Sequence, residues 1–207
     1  MGVNYTEVSL PMPTPIPLNE ILARYTGAAR LSPGGNTSAG LTPGDVETIR
    51  AAGFPAALPL TAWTRADVAR FTQLRDLAAS TPPAEFTAVA LACFEQGDAS
   101  EQASWCRAVS LLPQPEQYLR QVIDACRTNI LPLFESIACD NPYPQAFFPE
   151  RNFNQVVLKA MFNGIALARI MGLNARRNAE LARMATDYAA ERTAAGRSVP
   201  ADIALVQ

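Results

Sequence analysis

The sequence contains no histidine and a single lysine, Lys159, against 16 arginines. The first absence removes the commonest general base, the commonest metal ligand and the side chain that titrates near neutral pH. Ser-His and Cys-His nucleophile pairs cannot be built within this chain, nor can a zinc site of mixed Cys and His. The four cysteines, Cys93, Cys106, Cys126 and Cys139, form no C-x-x-C pair and lie in or beside apolar, helical stretches. They read as buried free thiols. No Asp-Asp-x-x-Asp pair is present to hold magnesium against a diphosphate, and the acidic turn at Glu95, Asp98 and Glu101 is too short and irregular for a calcium loop. No apolar run approaches the roughly 20 residues that span a bilayer. Residues 1–17 lack the charged-then-apolar order of a secretory signal. The expectation is a cytoplasmic chain with no metal, no cofactor, no nucleic-acid partner and no membrane insertion.

What is present is an ordinary globular composition. Of 207 residues, 49% are hydrophobic and 17% charged, enough for one sizeable core. The net charge of −2 gives no basic field, but the charge is uneven. Residues 1–150 carry 9 Arg against 15 Asp and Glu, whereas residues 151–207 carry 7 Arg and Lys159 against 4 Asp and Glu. A cationic final segment on an acidic body implies internal complementarity or an anionic partner. The excess of Arg over Lys, with abundant Ala, is what a GC-rich genome produces and needs no functional cause.

Helix punctuation recurs along the chain. Residues 1–17 are polar and proline-rich and should be extended, followed by a short helix at Leu18–Tyr25 and a flexible loop at 31–40. From 41 onwards a single all-helical domain is expected. Thr42-Pro43 opens a helix that stops at Gly53. Thr64 and Asp67 have capping-box spacing, ahead of a stripe at Val68, Phe71, Leu74 and Leu77. Pro82-Pro83 opens the next helix and Asp98 with Glu101 caps another. Pro113 and Pro115 should start a long helix through Ala138, kinked or divided at Pro132. No alternating strand pattern is credible and no fixed repeat period emerges. The reading is an all-α fold: antiparallel helical hairpins stacked as a bundle or a short, irregular, HEAT-like helical array.

The texture changes at Asp140. Asn141-Pro-Tyr-Pro144 predicts an extended turn, Phe147-Phe148-Pro149 supplies aromatic anchors, and a helix should run from Arg151 to about Leu173. Asn154, Gln155 and Lys159 interrupt its apolar surface, with Gln155 and Lys159 four apart on one face. A last helix over Ala179–Ala195 carries Arg183, Asp187 and Glu191 at successive i,i+4 positions. Each polar group has a structural explanation: a solvated ion pair for Arg183 and Asp187, helix-helix hydrogen bonding for Asn154 and Gln155, a turn for Tyr143. Lys159 is the more unusual residue. Where Arg serves as the ordinary cation, one retained Lys suggests a need for a compact amine, either to donate a focused hydrogen bond or to act as a neutral amine in a dry pocket. The candidate ligand-binding set is therefore Tyr143, Asn154, Gln155, Lys159, Arg183 and Asp187, with no residue assigned as catalytic.

The same residues carry a resemblance. Asn141-Pro-Tyr-Pro144, Phe147-Phe148-Pro149, the run Phe153–Lys159, Ile170–Leu173, Leu181–Met184, Asp187-Tyr188, Glu191-Arg192 and Ala194–Pro200 occur in order. With Asp124–Asn129, Phe134-Glu135, Arg107 and Leu111-Leu112-Pro113 upstream, they resemble the EboA family over about residues 95–203. The resemblance implies a protein encoded in an ebo cluster, where neighbouring genes specify proteins resembling a UbiA-type prenyltransferase, a dehydroquinate-synthase-like enzyme, a sugar-isomerase-like barrel and a TatD-like hydrolase. Such clusters serve small-metabolite biosynthesis and export, including movement of the scytonemin precursor in cyanobacteria. The resemblance carries no reaction and no catalytic residues.

Three functions compete on this basis. One is a non-catalytic binder of a small-molecule metabolite. Another is a His-free, metal-independent enzyme that acts on an isoprenoid- or cyclitol-like intermediate through Lys159 and nearby carboxylates. The third is a scaffold for other ebo-cluster proteins.

Overall fold

The computed structural model describes Glu20, Ala23, Tyr25, residues 40–51 and residues 53–207. The expected N-terminal arm and most of the loop at 31–40 lie outside these residues. Of the expected helix at Leu18–Tyr25, Glu20, Ala23 and Tyr25 are described and are helical.

Local chemistry sets the first four helices. Thr42 and Asp45 cap α1 (Pro43–Ala51) reciprocally: the carboxylate accepts the Thr42 N–H at 2.9 Å and the hydroxyl accepts the Asp45 N–H at 3.2 Å. Gly53, at φ 95°, turns the chain after it. The Thr64–Asp67 capping box starts α2 (Arg65–Ser80), which buries Phe71, Leu74 and Leu77. α3 (Pro83–Gln96) opens on proline and buries Phe86, Ala90, Cys93 and Phe94. The Asp98–Glu101 capping box starts α4 (Ala99–Ala108). The fold is all-α, as the sequence implies. Among the described residues there is no strand, only an isolated bridge between Gly40 and Thr64.

α4 is the spine of the molecule. Ala103, Ser104, Cys106 and Ala108 are small and buried, so α2, α3 and α6 (Leu131–Ala138) all pack against it. A polar seam ties it to α2. Asp67, 2% exposed, accepts hydrogen bonds from Ser104 Oγ at 2.6 Å and from Arg107 at 3.1 Å. Arg70 donates to the same Ser104 oxygen at 2.8 Å. Asp67 therefore serves as helix cap and as the anion of a buried ion pair.

Beyond α4 the helices are shorter than the sequence suggests. The expected long helix from Pro115 to Ala138 is three pieces: a 3₁₀ turn at Pro115–Tyr118, α5 (Leu119–Ala125) and α6. Pro132 explains the division. In a continuous helix its nitrogen would donate to the Thr128 carbonyl, and proline has no N–H to give. The chain accordingly leaves the helix at Cys126–Ile130, and Pro132 falls in the first turn of α6. The expected extended turn at Asn141–Pro144 instead leads into a short helix, α7 (Tyr143–Phe147). Asn141 Oδ1 accepts the Tyr143 N–H at 2.9 Å and nucleates it. α8 (Glu150–Phe162) stops well before Leu173. Gly164, at φ 69°, closes it in a Schellman motif, with Ile165 N–H on the Ala160 carbonyl at 2.9 Å and Gly164 N–H on Met161 at 3.2 Å. Periodicity through Ile165 concealed that stop. α9 (Ala179–Ala194), capped by Asn178, packs on α8, and Tyr188 donates from its hydroxyl to the Met161 carbonyl at 3.1 Å.

Candidate functional site

On α8, Asn152, Gln155, Val156 and Lys159 follow i, i+3, i+4, i+7 spacing and so form one stripe. That stripe faces Ile123, Cys126 and Arg127 at the end of α5, Phe134 of α6, and Phe148 after α7. Together these residues enclose about 200 Å³, partly open to solvent. This equals the space of roughly six or seven waters and is smaller than the 300–1,000 Å³ of a typical drug-sized site. The floor is apolar and aromatic. Among the described residues the charged and amide groups of the lining are two cations and two amides, with no carboxylate.

Lys159 is the fixed point of the pocket. Its ammonium donates to the Cys126 carbonyl at 2.7 Å and the Thr128 carbonyl at 2.6 Å, and lies 4.8 Å from the Phe134 ring centroid. Thr128 O is the acceptor that Pro132 leaves without its helical donor. The lysine thus closes the frayed end of α5. An ammonium has three N–H groups, and two are used among the described residues.

The opposite wall is held in the same way. Arg176 donates to the carbonyls of Pro144 at 2.7 Å, Gln145 at 3.1 Å and Phe148 at 2.6 Å, with its guanidinium 4.4 Å from the Phe153 ring centroid. Burial holds the Arg176 guanidinium below its ordinary pKa. Burial also pushes the Cys126 thiol up to about 12, against the opposing pull of Lys159. Cys126 is a neutral thiol at physiological pH and a poor nucleophile.

The six residues expected to form a site divide between several places. Gln155 and Lys159 share the pocket. Tyr143 and Asn154 do not line it. Tyr143 is fully buried and donates to the Pro115 carbonyl at 2.7 Å, and burial raises its hydroxyl pKa. Asn154 exchanges paired amide hydrogen bonds with Asn178, at 3.1 and 3.0 Å, which docks α8 on the cap of α9. Arg183 and Asp187 also lie outside the pocket, in an exposed ion pair of 2.7 Å that Glu180 shares at 2.7 Å. Arg127, Phe134, Phe148 and Asn152 were missed as lining residues. The four-residue stripe on α8 was the available signal for Asn152. Nothing local marks Arg127 or Phe134 as its neighbours.

A larger hollow of about 560 Å³ lies beside Leu41, Val46, Leu58 and Leu60. It is shallower, and its one cation, Arg50, is taken up by the carbonyls of Pro55 and Leu58. Its walls offer a ligand few polar contacts.

The family model for the metabolite traffic protein EboA matches residues 22–206, nearly the whole chain. The chain belongs to the EboA family. The match extends the resemblance read from residues 95–203 back through α1 to α3, where the motifs are less distinctive. It also assigns the chain to metabolite traffic in the broad sense of the family's description. No curated protein and no solved structure matches the chain. Among the described residues, no helix is long and apolar enough to cross a membrane, and no group of three or more Cys, Asp or Glu is placed to hold a metal ion.

Proposed function

We propose that this EboA-family chain is a non-catalytic, cytoplasmic carrier that holds a small metabolite between α5, α6 and α8. The observation that supports the reading is the composition of the pocket: an apolar, aromatic floor with a few convergent polar groups, the usual recipe of a ligand site. Chemistry is the weaker alternative. A lysine acting on an isoprenoid- or cyclitol-like intermediate would need a proton acceptor beside it, and among the described residues the lining offers no carboxylate, only cations, amides and a neutral thiol. The Lys159 amine is moreover engaged by two carbonyls. The volume suits one end of a metabolite, with the remainder projecting into solvent.

The test is native mass spectrometry of the chain isolated from its own host, wild type beside Gln155→Trp. Gln155 is exposed on α8, so the larger ring covers the pocket without disturbing the core. A small molecule that accompanies the wild type and is lost from the variant supports the reading. Equal occupancy in both proteins refutes it.

A scaffold reading has its own observation. The large apolar side chains exposed among the described residues are Ile130 at 47%, Leu131 at 41% and Phe162 at 59%. Ile130 and Leu131 follow Thr128, and Phe162 stands one turn beyond Lys159 on α8. A protein of the same ebo cluster docking on these side chains would cover them, with Phe162 already set edge-on against the Tyr188 ring at 4.7 Å. Ile130→Ser with Phe162→Ser should then abolish co-purification of that protein while leaving the small molecule bound. Unchanged co-purification would eliminate this surface.

A further inference from the structure

Resting on the binding reading above, we infer that the pocket selects an organic anion: a carboxylate or phosphate monoester carried on a planar apolar ring. Charge is the first argument. Among the described residues, Lys159 and Arg127 line the space and no carboxylate does. The carboxylate paired with this lining, Asp124, meets Arg127 at 3.0 Å from one turn earlier, with side chains 46% and 79% exposed. So exposed an ion pair is weak and leaves the guanidinium free to turn towards a ligand. The carbonyls of Cys126 and Thr128 also face the ammonium, but each already accepts a hydrogen bond from it.

Donor supply is the second argument. Lys159 keeps one N–H beyond the two it gives to carbonyls, and Arg127 offers a planar fork suited to two oxygens. Asn152 and Gln155 each bring an amide that can donate, and neither has a hydrogen-bond partner among the described residues. The site is thus rich in uncommitted donors. An anionic headgroup uses that surplus, whereas a cation would meet two like charges. The third argument is shape. Phe134, Phe148, Ile123 and Val156 form the apolar surface, and about 200 Å³ admits a single ring with its headgroup.

The test uses the full chain, ¹⁵N-labelled, titrated with benzoate, phenyl phosphate, benzamide and benzylamine, following amides of residues 126–128 and 152–156. Benzoate or phenyl phosphate should shift these amides saturably and bind at least about tenfold more tightly than benzamide, with benzylamine weakest. Which of the two anions binds better identifies the headgroup. Raising salt from 50 to 500 mM should weaken the anions and leave benzamide unchanged. Arg127→Gln should cost the anions about three- to tenfold, and Asp124→Asn should strengthen them by about two- to threefold. Both substitutions sit on exposed side chains, so neither disturbs the core. Benzamide or benzylamine binding as tightly as benzoate would overturn the anion selectivity and leave the binding reading standing. No shift with any probe would overturn both.

Discussion

Replacing Lys159 by Met removes the charge and the three donors while keeping an unbranched side chain one atom shorter. The ammonium makes two charge-assisted hydrogen bonds, at 2.7 and 2.6 Å, to carbonyls at the end of α5. Hydrogen bonds to charged groups contribute roughly 1.5–3 kcal/mol each. The lower figure applies here, because Lys159 is only half-buried and water can reach the vacated carbonyls through the pocket. Two such bonds give about 3 kcal/mol, and rehydration returns part of it, leaving a loss of about 2 kcal/mol. For a chain of this size each kcal/mol moves the thermal midpoint by roughly 2–4 °C, so Lys159→Met should lower Tm by about 4–8 °C.

The loss should also be local. Hydrogen exchange at the amides of Cys126, Arg127 and Thr128, which donate to Val122, Asp124 and Ala125, should accelerate, while amides of α2 and α4 keep their protection. Lys159 is the only lysine, so reductive methylation marks a single ε-amine. That amine should react more slowly than free lysine and should be released by denaturant. A midpoint within 1 °C of wild type, with unchanged exchange at residues 126–128, would show that the lysine does not hold the end of α5.

Asp67→Ala should cost about 3–5 kcal/mol in urea unfolding, because it strands Arg107 beside a buried seam, and the double variant Asp67→Asn with Arg107→Met should lose less than the two single changes added together. Asp45 has its carboxyl pKa lowered to about 2, first by the Thr42 N–H and then by the Thr42 hydroxyl and Arg65. Its folded pKa lies below the unfolded value of 3.8, so its contribution is complete above about pH 4 and is lost as pH falls towards 2. Thermal melts from pH 6 to pH 2.5 should therefore fall less steeply for Asp45→Ala than for wild type, and parallel curves would refute the assignment. Arg176→Leu should destabilise by about 2–3 kcal/mol, speed exchange at residues 146–148 and weaken ligand binding through Phe148, although the arginine does not line the pocket. Arg176→Lys should recover less than half of this, since one ammonium cannot replace a fork that reaches three carbonyls.

The legible part of this fold is the part written in local chemistry. Thr42-Pro43, Thr64 with Asp67, Pro82-Pro83 and Asp98 with Glu101 each state a helix start in three or four residues, and each start is found. Stops were harder. Val157, Met161 and Ile165 keep a helical period across a Schellman turn, because the residue after such a turn packs back on the same core. The site was legible only on α8. Gln155 and Lys159 share a pocket because four residues apart on a helix is a distance sequence can specify. Arg127 and Phe134 enter the same pocket through a chain reversal at Cys126–Ile130, and no spacing rule encodes a contact across it.

Of the two uses that a lone compact amine at Lys159 suggests, a focused hydrogen bond or a neutral amine in a dry pocket, the structure supplies acceptors for the first. Two prolines, Pro132 and Pro149, each deny a helical donor to the carbonyl four residues earlier, Thr128 and Gln145. A cation from elsewhere in the chain fills each vacancy: Lys159 on Thr128, Arg176 on Gln145. The two sealed breaks stand at Cys126–Thr128 and at Phe148, on either side of the pocket. The hollow between α5, α6 and α8 thus lies where helices stop early. On the proposed reading one lysine has two linked tasks, holding the end of α5 and presenting its remaining N–H to the ligand. An anion drawn to that N–H would pull on the seal at Thr128 as it binds. Occupancy should therefore register at the Cys126–Ile130 turn, beside exposed Ile130 and Leu131, where a protein partner could read it.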